Sequence, residues 1–177
     1  MPTDVIVHPF GEIESDLLET IRAAVGERFG VGVTFGQQQA VPTRAYSRER
    51  GQYRSTEFLH QLANDSRDDG RTRLGVANVD LFVPDLNFVF GEASGIDRVA
   101  VFSIARLDPR YYGEAGDDAT LSRRAVTEAV HELGHVFGLG HCTRPDCVMW
   151  FSNTLAETDL KGSEFCPRCA RELSLRG

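Results

Sequence analysis

Residues 131–141, HELGHVFGLGH, set three histidines and a glutamate at the spacing H-E-x-x-H-x-x-G-x-x-H. His131 and His135 are four apart, so on a helix both imidazoles share one face, with Cβ atoms about 5–6 Å apart. Both can then reach one metal ion through bonds of roughly 2.0–2.1 Å. A straight helix does not easily carry a third imidazole round from position 141. Gly138 removes that difficulty: without a Cβ it can enter the left-handed region, end the helix and turn the chain back. His141 then closes a three-histidine site with one position open for water, and Glu132 can reach that water as a general base. An amphipathic helix whose histidines merely fall on its polar face would account for H-E-x-x-H, but not for Gly138 and His141 as well.

A second constellation follows at once. Cys142, Cys147, Cys166 and Cys169 have the pattern C-x4-C…C-x2-C. Four thiolates in two close pairs suit a closed, tetrahedral, structural zinc site. The alternative is four buried or loosely reactive thiols. His141 and Cys142 are neighbours, about 3.8 Å apart at Cα. A metal gripping Cys142 therefore fixes the backbone that presents His141. We expect this second site to organise the first and to do no chemistry itself.

These residues need a rigid frame, and the pattern of the chain supplies one. A short β-branched run at 5–7 is followed by a D-x-x-E capping pattern at Asp16 and Glu19. Leu17, Leu18, Ile21, Val25 and Phe29 then recur at helical spacing, and Gly30 acts as a stop. With a strand at 31–35, these make a βαβ unit with parallel strands. The polar stretch 37–54 is expected to be loop with one short strand, its RERGQYR run a solvated loop more than an anion patch. Ser55 is expected to cap a helix carrying Phe58, Leu59 and Leu62, which fades into the turn 65–70. Residues 74–83 form the strongest, most buried strand candidate. Residues 87–90 (NFVF) should return antiparallel to it, because the intervening turn is too short for a crossover. A loop at 91–97 leads to a fifth strand at 99–107. Thr120 is then expected to cap the long helix bearing His131 and His135, with Val126, Val130, Leu133 and Phe137 as its apolar stripe.

The 177 residues carry 19 basic and 26 acidic side chains, a net charge of -7, which disfavours nucleic acid as a partner. No apolar run approaches the 18 or so residues of a membrane span, so no membrane partner is expected. The N-terminal MPTDVIVHPFGE has no signal-peptide character. A cytoplasmic, reducing setting follows, in which cysteines serve as metal ligands more often than as disulfides. Lys161 is the sole lysine, and the bias toward arginine points to no function.

HELGHVFGLGHC, then C-x-M and C-x2-C, resembles the archaemetzincin family of metzincin-type zinc metalloproteases. The motif covers residues 131–169, and the strands and helices before it are compatible with a metzincin N-terminal half. The resemblance implies an α/β (α+β), zincin-like fold with a mixed five-stranded twisted sheet. An N-terminal subdomain, 1–141, would carry the active-site helix, and a small subdomain, 142–177, would be tied on by the cysteines. It implies two zinc ions per chain. His131, His135 and His141 would hold a catalytic zinc, Glu132 would be the base, and Cys142, Cys147, Cys166 and Cys169 would hold a structural zinc. Gly138 and Met149 would support the site, Met149 as an apolar floor beneath the metal, although a methionine beside Trp150 and Phe151 also suits plain core. The expected molecule is a monomer acting on a peptide or protein substrate. Such a substrate could add to the 87–90 strand if that strand is the sheet edge, and Tyr111, Tyr112 and Arg106 are candidate oxyanion donors. A zinc-stabilised binding module with little turnover is the other class. A zinc deaminase is rejected, since it needs H-x-E and a proline directly before the first cysteine of its pair.

Overall fold

The computed structural model describes residues 2–65 and 69–175. A five-stranded mixed sheet forms the frame. Its strands are β1 (Val5–Phe10), β2 (Val33–Phe35), β5 (Thr72–Ala77), β7 (Gly91–Ser94) and β8 (Val99–Ser103), in the order β2-β1-β5-β8-β7. All neighbours are parallel except β7, which runs antiparallel to β8 and forms one edge. The strand expected at 74–83 is central but shorter: β5 ends at Ala77 with all six of its residues buried, and Leu81–Phe82 forms a separate strand, β6. A smaller sheet joins β3 (Tyr46–Ser47), β4 (Gln52–Arg54) and β6 (Leu81–Phe82).

Side-chain alternation along the strands sorts the core into two layers. Val5, Val7, Leu74, Val76, Ala100 and Phe102 face helices α1 (Ser15–Phe29) and α3 (Asp118–Val136). Phe10, Ala77, Val99 and Val101 face α2 (Ser55–Asn64) and the small sheet on the other side. Leu17, Ile21, Val25 and Phe29 form the buried stripe of α1, and Gly30 ends that helix at φ +66°, its N–H donating to the Gly26 carbonyl. The C-terminal stretch carries α4 (Leu155–Lys161) and α5 (Pro167–Leu175). Cys142, Cys147, Val148, Met149, Cys166, Cys169 and Leu173 belong to the same buried cluster as α3.

Several local expectations are corrected. Asp16 is not a cap: α1 starts at Ser15, Asp16 lies in its first turn, and Glu19 pairs with Arg22. Ser55 is the first residue of α2 instead of its cap, and its hydroxyl donates to the Phe82 carbonyl and the Glu92 carboxylate. Asp117, not Thr120, caps α3, accepting from the Ala119 and Thr120 N–H groups. The 37–54 stretch holds two short strands and a 3-10 turn at Thr43–Ala45. The edge strand is 91–94, where a loop was expected, and 87–90 makes only a single bridge, Val89 to Leu81. Glycine at 91 and small side chains at 93 and 94 hid that strand from a pattern based on large apolar residues. The expected turn at 65–70 lies partly outside the described residues.

Candidate active site

Helix α3 runs beneath the edge strand and ends where Gly138 takes φ +92°. The Gly138 N–H donates to the His135 carbonyl and the Leu139 N–H to the Gly134 carbonyl, the paired bonds of a Schellman stop. The chain then doubles back, and the ring of His141 comes to 4.8 Å from that of His135 and 5.6 Å from that of His131, centroid to centroid. One nitrogen from each of the three rings lies within 4.8 Å of the others.

The outer ring nitrogens show which atoms face inward. Nδ1 of His131 lies 2.7 Å from the Val148 carbonyl and Nδ1 of His135 lies 2.9 Å from the Leu139 carbonyl. A carbonyl only accepts, so each Nδ1 carries the proton and each Nε2 is left as a lone pair. The two Nε2 atoms are 3.1 Å apart. Two ligands at zinc–nitrogen distances in a tetrahedron are about 3.3 Å apart, so the donor set fits that ion. Burial lowers the pKa of all three histidines, most strongly His131, which favours the neutral form a metal ion would need.

Glu132 is buried, and burial, aided by the charge of Glu128, raises its carboxyl well above the usual range. It packs against Gly91 of the edge strand so closely that a Cβ there would lie 2.6 Å from Oε1. Met149 lies on the other side of the helix turn. A Cβ on Gly134 would meet its sulfur at 2.4 Å, so Met149 sits directly beneath the turn joining the two histidines. His131, Glu132, His135 and His141 line one cleft of about 400 Å³, walled by residues 86–93 on one side and 151–153 on the other. Tyr111, Tyr112 and Arg106 do not line it. Arg106 pairs with Asp80 and stacks over Phe88, and the Tyr112 hydroxyl donates to the Arg106 carbonyl.

The four cysteines are buried together, each Sγ within 4.8 Å of the others. Cys142 and Cys166 have sulfurs 3.8 Å apart. Four thiolates on a tetrahedral zinc are about 3.8 Å apart, so this set also fits. Burial opposes ionisation of Cys166, but hydrogen bonds from the Cys169 backbone and neighbouring thiols bring it down to about 7. The Cys142 N–H donates to the Met149 carbonyl at 2.8 Å, closing the backbone just after His141 over the methionine.

The model of peptidase family M54 matches residues 26–175. The chain belongs to that family. It is a zinc metallopeptidase, and the archaemetzincin resemblance holds over nearly its whole length. It is 42% identical to the archaemetzincin of Pyrococcus furiosus over 178 aligned residues, covering 97% of this chain and 93% of the relative. It is 39% identical to that of Methanocaldococcus jannaschii, covering 98% and 94%. The archaemetzincin structure from Methanopyrus kandleri superposes with a TM-score of 0.87 at 37% identity, covering 99% of this chain and 95% of the other. No helix among the described residues is long and apolar enough to cross a membrane.

Three residues at or behind the cleft escaped the sequence reading: Glu128, Lys161 and Glu92. Glu128 and Glu132 are four apart on α3, a spacing that puts both on the face of the histidines and was available as a signal. Lys161 stood out only as the sole lysine, and its Nζ lies 3.3 Å from Glu128 Oε1 and from His131 Nδ1. Glu92 is bound by Ser55 and Thr56, and nothing in the pattern marked that contact.

Proposed function

We propose that the chain hydrolyses peptide bonds in the cleft between β7 and α3, with Glu132 as the general base. His131, His135 and His141 are the residues that hold the catalytic zinc, and Cys142, Cys147, Cys166 and Cys169 hold a second, structural one. The catalytic zinc, when bound, supplies a Lewis acid that polarises the scissile carbonyl and lowers the pKa of water from 15.7 toward about 7. The observation that carries the reading is the convergence of three imidazole nitrogens beside a buried carboxylate in one open cleft.

The Glu132 carboxylate takes the proton of the attacking water and returns it to the leaving nitrogen. Burial raises the pKa of this carboxyl, which favours the protonated form that serves as that acid. The edge strand orients the substrate. In β7 the Phe90 carbonyl accepts from Ser103, so by register the backbones of Gly91 and Ala93 point away from β8. They offer an extended peptide the next antiparallel rung. On this reading substrate pairs with 91–94 in place of 87–90. Met149 and Gly138 support the site, one as its floor and the other as the turn that returns His141.

Glu132→Gln should retain two zinc ions per chain and lose hydrolysis of a peptide library by a factor of about 10²–10⁴. Zinc content by emission spectroscopy and digestion by mass spectrometry measure the two quantities. Equal cleavage by wild type and variant would remove the base assignment. No cleavage by zinc-loaded wild type would leave a binding module.

A further inference from the structure

Besides Glu132, and Glu92 held by Ser55 and Thr56, the cleft is lined by a carboxylate that bond cleavage does not use. Glu128 lies one helical turn before Glu132 and lines the same cavity. The Thr158 hydroxyl donates to its Oε1 at 3.2 Å, and Lys161 Nζ stands 3.3 Å from the same oxygen. The Glu128 and Lys161 side chains are 2% and 0% exposed. Because Thr158 gives its proton to the carboxylate, it accepts from Ser152, 3.1 Å away on the cleft wall. Both of the contacts to Glu128 fall on Oε1, and Glu128 lines the cavity, so Oε2 is the oxygen we take to meet whatever enters the cleft.

A buried ion pair adds little stability over apolar packing of equal volume, so stability alone does not account for one on a cleft wall. Position gives it a role, on the reading that Glu132 is the base of a zinc peptidase. A base that returns its proton to the leaving nitrogen marks the leaving side of the scissile bond. Glu128 lies beyond Glu132, away from His135, and so beside the first residue after that bond. Its chemistry restricts the occupant. An acidic side chain is repelled by the carboxylate. A cationic one meets Lys161 and the charge of the metal. An apolar one strips water from Oε2 and returns no donor, the costly case for a buried acceptor.

We infer that Glu128 is the specificity-determining residue of this leaving-side subsite, which takes an uncharged side chain donating a hydrogen bond, a hydroxyl or carboxamide. Lys161 and Thr158 are positioning residues that hold the carboxylate in place. The test uses peptidyl hydroxamates, which bind a catalytic zinc without turnover. Two carry asparagine or leucine at the leaving-side position, side chains of nearly equal shape, and two more carry aspartate or lysine. Calorimetry on the zinc-loaded wild type should show the asparagine compound binding at least about tenfold more tightly than each of the others. In Glu128→Leu/Lys161→Met, which removes both charges together, the leucine compound should become the tighter. Equal or tighter binding of the leucine, lysine or aspartate compound to wild type overturns the inference while leaving the peptidase reading intact. So does an unchanged asparagine-to-leucine ratio in a folded, zinc-loaded double variant. If that variant does not fold, the wild-type series decides alone. Failure of all four compounds to bind zinc-loaded wild type overturns the peptidase reading and this inference with it.

Discussion

At the scale of single residues, the chemistry was largely visible in the chain. The spacing of His131, His135, Gly138 and His141 dictates a helix, a left-handed stop and a return, and the structure has all three. What the spacing could not show is how tightly the proposed base is housed. Glu132 occupies the space a side chain at 91 would need, and a Cβ there would also lie 2.6 Å from the Val101 carbonyl. Gly91→Ala should therefore push the carboxylate out of place. We expect a loss of about 1–3 kcal/mol in stability and a fall in kcat of at least tenfold by the shift of the base, with zinc content unchanged. Urea unfolding and steady-state kinetics measure both, and a wild-type kcat would show that the base does not need that space. Lys161 went unread because its meaning lies in a contact with Glu128 across 33 positions of chain, and periodicity reports only neighbours on one element.

The elements were legible where burial follows a regular period and illegible where small residues or side-chain caps decide. The 17, 21, 25, 29 stripe of α1 and the central place of β5 belong to the first kind. The edge strand belongs to the second. Its sequence, GEAS, has no large apolar residue, because one face lies over Glu132 and the other is held by a carboxylate. Glu92 accepts from the Ser55 and Thr56 hydroxyls at the N-terminus of α2, where the helix dipole favours a negative charge. This bond explains why Ser55 does not cap its own helix. It also ties the strand proposed to pair with substrate to a rigid element. Glu92→Ala should cost about 1–2 kcal/mol, in the range of a lost charged hydrogen bond. Amide exchange at 91–94 should speed up and KM should rise more than kcat falls. Unaltered exchange there would mean that β8 alone holds the edge.

Across the whole molecule, the two candidate metal-ligand sets are mechanically joined. Cys142 follows His141 directly, its N–H is bonded to Met149, and Val148 both accepts from His131 and donates to the Glu164 carbonyl, two residues before Cys166. The cysteine cluster thus anchors the backbone on which the third histidine and the floor of the cleft depend. Cys166→Ser/Cys169→Ser should weaken zinc retention at the histidines as well, seen as a fall from two zinc ions per chain to less than one after mild chelation. One tightly held zinc per chain in that variant would show that the sites are independent. The adjacency was readable in the sequence, whereas the Val148 link was not, since it depends on how residues 143–150 fold back. Most direct of all is anomalous scattering at the zinc edge from crystals of the zinc-loaded protein. The account predicts two peaks per chain, one at about 2.0–2.1 Å from a nitrogen of each of His131, His135 and His141, and the other among the four sulfurs. A chain whose only peak lies among the sulfurs, or whose His141 ring faces away from the metal, would contradict it.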